Sequence, residues 1–142
     1  MPIQMVLSTR DTFCAGSIQF PSAVSDEELM RISRENPGMT VERIGLDRIV
    51  MSPSGTESGG QSARVFAQVA RWAEEMGRGE YFGPDTGFLL GDGSVLSPDT
   101  AWVSDERIRQ VPGPDRAGFW PLCPELVIEV ASRSDSRPQL IE

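Results

Sequence analysis

Leu126-Val127-Ile128-Glu129-Val130 is a continuous apolar run of strand length with one carboxylate inside it. A run of this kind reads as a buried central strand, because half-solvated strands alternate apolar and polar residues. An acid in such a strand is costly to bury unless it is paired, hydrogen-bonded or metal-bound. The fold must therefore set a charged oxygen in or beside its central sheet and supply it with a partner.

The partners available are few. All 13 basic residues among the 142 are arginine, and the chain contains neither lysine nor histidine. That excludes Ser-His and Cys-His catalytic pairs, imidazole metal sites, a Walker lysine and a Schiff-base lysine. Carboxylates, arginines, hydroxyls and two thiols remain. Cys14 and Cys123 lack CxxC spacing and read as free, partly buried thiols. An enzyme with this repertoire is expected to hold a hard metal ion on its acids.

A second acid suits that role. Asp99 follows Ser97-Pro98 and opens the β-rich run Thr100-Ala101-Trp102-Val103. On neighbouring strands, Asp99 and Glu129 would make an oxygen site for Mg²⁺ or Mn²⁺, where the metal activates water and stabilises charge on a phosphoryl group. The residues alone leave alternatives open: Asp99 as a turn residue after proline, and Glu129 as a solvent-facing residue on an edge strand, sharing a face with Val127. The net charge of −8 argues against broad electrostatic attachment to nucleic acid or anionic membrane, although bound cations and a local arginine patch would offset it in a nuclease.

The chain length fits one domain. Residues 1–24 show no clear period and read as an irregular or strand-like entry to a domain over 25–142. Ser25 and Glu28 form a capping box with Val24 and Leu29 at the staple positions, and Asn36-Pro37-Gly38 stops the helix. Residues 40–44 and 48–51 read as a hairpin about Gly45-Leu46-Asp47. After a Gly/Ser-rich stretch over 52–60, Val65, Val69, Trp72, Ala73 and Met76 follow helical spacing over 61–76, a core face, with Gly77 as the stop. Arg64, Arg71 and Arg78 recur every seven residues there, either as a phosphate-facing stripe or, the better reading, as a solvated face paired with Glu74 and Glu75.

Short strands follow over 80–82, 87–90, 95–96 and 100–103, separated by Pro-Asp, Gly-Asp-Gly and Ser-Pro-Asp turns. A helical turn is expected over 104–110 and a Pro/Gly-rich loop over 111–123. Trp102 and Trp120 read as core or loop anchors. The pattern predicts an α/β or α+β fold, a curved mixed sheet with helices packed on it. No apolar run approaches a spanning helix and no basic region precedes an apolar one at the N-terminus, so the expected location is cytoplasmic.

Several phrases occur together in order: Val41-Glu42-Arg43-Ile44-Gly45 through Val50-Met51-Ser52-Pro53, Asp85-Thr86-Gly87-Phe88-Leu89-Leu90 with Gly91-Asp92-Gly93, Ser97-Pro98-Asp99-Thr100-Ala101-Trp102-Val103, and Pro124-Glu125-Leu126-Val127-Ile128-Glu129-Val130-Ala131-Ser132-Arg133-Ser134-Asp135. Over about residues 25–142 the chain resembles the Uma-type family of restriction-endonuclease-like proteins, in the PD-(D/E)XK nuclease superfamily. The resemblance implies a restriction-endonuclease-like core acting on DNA phosphodiesters with Mg²⁺ or Mn²⁺. Asp99 would be the motif aspartate, Glu129 the second metal-binding carboxylate and the Val130 carbonyl a third oxygen ligand. Glu42 would orient water or a second ion, with pairing to Arg43 or Arg48 on an exposed strand as the competing reading. Ser132 and Asp135 would shape the turn after the strand.

The chain also departs from that pattern. The superfamily places lysine two residues after the second acid, where this chain has Ala131. Family members carry a lysine later, on the following helix, and this chain stops at Glu142, about where that helix begins. The expectation is a domain cut short at its C-terminus, whose activity depends on a group this chain lacks. The alternative function is a non-catalytic interaction or dimerisation module, and an incomplete sheet edge suggests a homodimer.

Overall fold

The computed structural model describes residues 4–7, 16–53 and 55–131. Cys14, Ser132, Asp135 and the helix entry at Ser134-Asp135-Ser136 lie outside the described residues.

The first helix begins where its cap stands. Ser25 is extended, with φ −68° and ψ 164°, and its Oγ accepts the Glu28 N–H at 3.1 Å. Val24 and Leu29, on either side of the cap, are both buried. Helix α1, Asp26–Glu35, carries Asp26, Glu27 and Glu28 in its first turn, where the helix dipole favours negative charge. Its one fully buried side chain, Leu29, packs with Val24, Val41, Ile49 and Val95 beneath the main sheet.

That sheet has six strands among the described residues: β1 Gln4–Leu7, β2 Gly16–Gln19, β3 Met39–Ile44, β4 Arg48–Pro53, β6 Phe88–Leu89 and β7 Val95–Leu96, in the order β1-β2-β4-β3-β7-β6. The strand-like entry expected over 1–24 thus joins the domain sheet through β2 and β4. The β3–β4 hairpin runs from Met39↔Pro53 to Ile44↔Arg48 and turns through Gly45, whose φ of 62° lies where glycine is unstrained. A single pair, Arg43↔Val95, joins β7 to β3.

A second sheet, ordered β5-β8-β9, is formed by β5 Glu80–Phe82, β8 Thr100–Val103 and β9 Leu126–Ile128. Pairings between named strands are all antiparallel, and Phe88 makes an isolated parallel bridge to Trp120. Its core is Phe88, Ala101, Val103 and Ile108, with Ile108 contributed by the short helix α3, Asp105–Gln110. Ser104 caps α3 by accepting the Arg107 N–H. The loop expected over 111–123 contains a 3-10 turn, Gly113–Ala117. Strands, helices and hydrophobic layers together form the α+β, restriction-endonuclease-like core.

Three local expectations are corrected. Helix α2 is Thr56–Met76, five residues longer at its start than the period indicates. Gly59 and Gly60 weaken helix formation by about 1 kcal/mol each but do not forbid it, and the helix is anchored downstream by buried Val69 and Ala73. Its apolar face is only partly core: Trp72 is 42% exposed and meets Trp102 edge-on, with centroids 5.2 Å apart. Arg78 lies past the helix, beyond Gly77, whose φ of 65° ends it in the left-handed cap.

The third correction concerns β9. It stops at Ile128, before Glu129, and among the described residues it pairs with β8 alone. Val127 is 46% exposed. The strand is an edge rather than a buried centre, because alternation turns Leu126 and Ile128 inward and leaves Val127 and Glu129 on the open face.

Candidate active site

Alternation along β3 decides where its charges go. Val41 and Arg43 are buried on the α1 side, so Glu42 between them faces the other way. There its Oε1 accepts the Ser97 N–H at 2.7 Å. Neither Arg43 nor Arg48 pairs with it; the competing reading of an exposed, arginine-paired Glu42 does not hold. Arg43 is instead 3% exposed and clamps three segments, donating to the Val24 carbonyl at 2.7 Å and the Gly93 carbonyl at 2.8 Å and pairing with Asp26 at 2.8 Å.

Ser97 and Pro98 carry the chain from β7 of the first sheet to β8 of the second. The backbone that holds Glu42 therefore leads directly into Asp99. Asp99 Oδ2 accepts the Val130 N–H at 2.7 Å. The β8–β9 ladder ends at Thr100↔Ile128. Continuing that register by one residue sets Asp99 opposite Glu129, and cross-strand neighbours stand about 4.5–5.5 Å apart at Cβ. Like charges placed so are mutually destabilising.

The electrostatics follow. Glu129 is pushed up to about 7, first by desolvation of its carboxyl and then by the negative charges of Asp99 and Glu42, with the Asp99 backbone N–H pulling the other way. Although the residue as a whole is surface-exposed, its carboxyl end lies against protein. Glu42 is also raised, by burial first; the Ser97 N–H opposes this and the Asp99 charge adds to it. Three acids from β3, the entry to β8 and the exit of β9 thus sense one another at the seam between the two sheets.

The structure brings Glu42, Asp99 and Glu129 within electrostatic reach of one another, and Val130 joins them through its N–H on Asp99, whereas the expectation named its carbonyl. Among the described residues no group of three or more His, Cys, Asp or Glu side chains converges closely enough to hold a metal ion. The donors are nevertheless all oxygens, with Ser97 bound to Oε1 of Glu42 and Val130 to Oδ2 of Asp99. Mg²⁺ and Mn²⁺ sites use one or two carboxylates and complete their shells with water and substrate phosphate, so an Asp99–Glu129 pair with a backbone carbonyl suits them chemically.

Ser97 escaped the sequence reading because its contribution is a backbone N–H. Arg43 escaped it too, although sharing a strand face with Val41 was the signal. Arg64, Arg71 and Arg78 are exposed, and no ion pair joins them to Glu74 or Glu75; Glu74 accepts the Tyr81 hydroxyl at 2.6 Å instead. No helix of the described residues is long and apolar enough to cross a membrane.

Residues 26–142 match the family model Uma2, described as "Putative restriction endonuclease". No curated protein matches the chain.

Proposed function

The chain belongs to the Uma2 family, and from that premise we propose that it is a Mg²⁺- or Mn²⁺-dependent endonuclease fold whose substrate is the DNA phosphodiester bond. One observation carries the reading: the β8–β9 register, continued by one residue, sets Asp99 opposite Glu129, and the charge of Glu42 is felt there. Burial and the neighbouring negative charge oppose the ionisation of Glu129 and Glu42 unless a cation offsets the charge. Asp99, Glu129 and the Val130 carbonyl would hold the ion, and Glu42 would orient water. A divalent ion there supplies Lewis-acid stabilisation of phosphoryl charge and acidifies water. The Val130 and Ser97 amides keep Asp99 and Glu42 aimed, so the acids need little reorganisation when charge arrives.

The test is cleavage of plasmid DNA with Mn²⁺ and with EDTA, by the parent and by Asp99→Asn and Glu129→Gln. The reading expects metal-dependent nicking that falls at least about 100-fold in either variant. Cleavage by either variant at the parent's rate would overturn it. Ala131, at the position where the superfamily carries lysine, favours a second reading in which the domain binds metal and DNA without cutting. Mn²⁺ binding by a parent that leaves DNA intact would select that reading.

A further inference from the structure

The weakest joint in the main sheet lies next to the site. Strand β7 is two residues long and meets β3 through one ladder pair, Arg43↔Val95. Yet Ser97, two residues after Val95, must present its N–H to Glu42 at 2.7 Å. A single backbone pair defines register poorly.

Two side chains reinforce it. Ser94 is 4% exposed and spends all its polar groups locally: its Oγ accepts the Gly45 N–H at 2.8 Å, its carbonyl accepts the Leu90 N–H at 2.8 Å, and its N–H donates to Asp92 Oδ1 at 2.9 Å. Arg43 Nε reaches the Gly93 carbonyl beside it. The Gly45 bond is the one that crosses from the β3–β4 turn to β7.

We propose that Ser94 is a positioning residue for the candidate site: its hydroxyl locks β7 onto the β3–β4 turn and so holds the Ser97 N–H on Glu42. The assignment rests on Glu42 belonging to that site. Ser94 touches none of the three acids and acts only through the backbone between Val95 and Ser97.

Amide hydrogen exchange of the full chain tests it, paired with Mn²⁺ titration. Ser94→Ala is expected to speed exchange at Ser97 about tenfold while Ala101 and Val103 in the second sheet keep the parent's protection. A merely structural loss would speed all of them in proportion. Ser94→Thr, which keeps the hydroxyl, is expected to restore Ser97, and Mn²⁺ affinity should fall about tenfold in Ser94→Ala. Should Ser94→Ala not fold, Ser94→Cys, similar in size and a weaker acceptor, carries the same comparison. Ser97 protection equal to the parent's, or lost only in step with the second sheet, overturns the proposal. A parent that binds no Mn²⁺ counts against the metal reading instead, and the Ser97 exchange still decides the role of Ser94.

Discussion

Asp99 takes the Val130 N–H on Oδ2 at 2.7 Å, so a side chain holds an amide just beyond the last β8–β9 ladder pair. Strand β9 ends at Ile128, and the register continued by one residue sets Glu129 opposite Asp99. The bond thus lies at the end of the strand, beside the acid pair.

Asp99→Asn keeps the shape and an acceptor for Val130 but removes the charge opposite Glu129. The Glu129 midpoint is expected to drop from about 7 toward its ordinary 4.5, stopping short because desolvation remains. An NMR titration of the Glu129 carboxyl carbon reads this directly. A midpoint still near 7 would mean that Asp99 does not contribute.

The same group sets a stability trend. Because Glu129 titrates higher folded than unfolded, the native state binds more protons between about 4.5 and about 7. Its contribution is therefore most favourable below that window and declines as pH rises through it. Metal-free, the parent's Tm relative to Glu129→Gln should improve on going from pH 8 to pH 5. A pH-independent difference contradicts the shift.

Arg43→Met removes a clamp joining the Val24 and Gly93 carbonyls and Asp26. Two carbonyls lose their donor and a half-exposed carboxylate its partner, a loss of about 2–4 kcal/mol. Denaturant unfolding should show it as a lower midpoint. A change below about 1 kcal/mol would mean that water replaces the guanidinium.

Gly79 sits at φ 72°, and a Cβ there would lie 2.5 Å from the Trp102 ring. Gly79→Ala is expected to cost about 1–3 kcal/mol, since both the backbone and the indole must give way. Trp fluorescence of the folded variant should change with it. Parent-like stability and emission would show that the ring moves freely.

What was legible in the sequence, and what was not, divides along physical lines. The α1 boundary was readable because Ser25 and Val24 act on residues within one turn. The β3–β4 hairpin was readable for the same reason, with Gly45 at its bend. The start of α2 was not, because packing of Val69 and Ala73 more than two turns away overrides the glycines. Strand β9 misled because an apolar run says how much surface can be buried, not how many neighbours the strand finds. Asp99 and Glu129 were singled out from the runs they stand in and Glu42 through resemblance; their proximity depends on the junction at Ser97-Pro98, a property of two sheets that no local pattern encodes.

The most direct test of the account is a calorimetric titration of Mn²⁺ into the full chain at pH 8, where Glu129 is ionised, repeated with Asp99→Asn and Glu129→Gln. The parent is expected to bind saturably, and each variant at least about tenfold more weakly while remaining folded. Binding of equal strength in all three, or none in the parent, would contradict it.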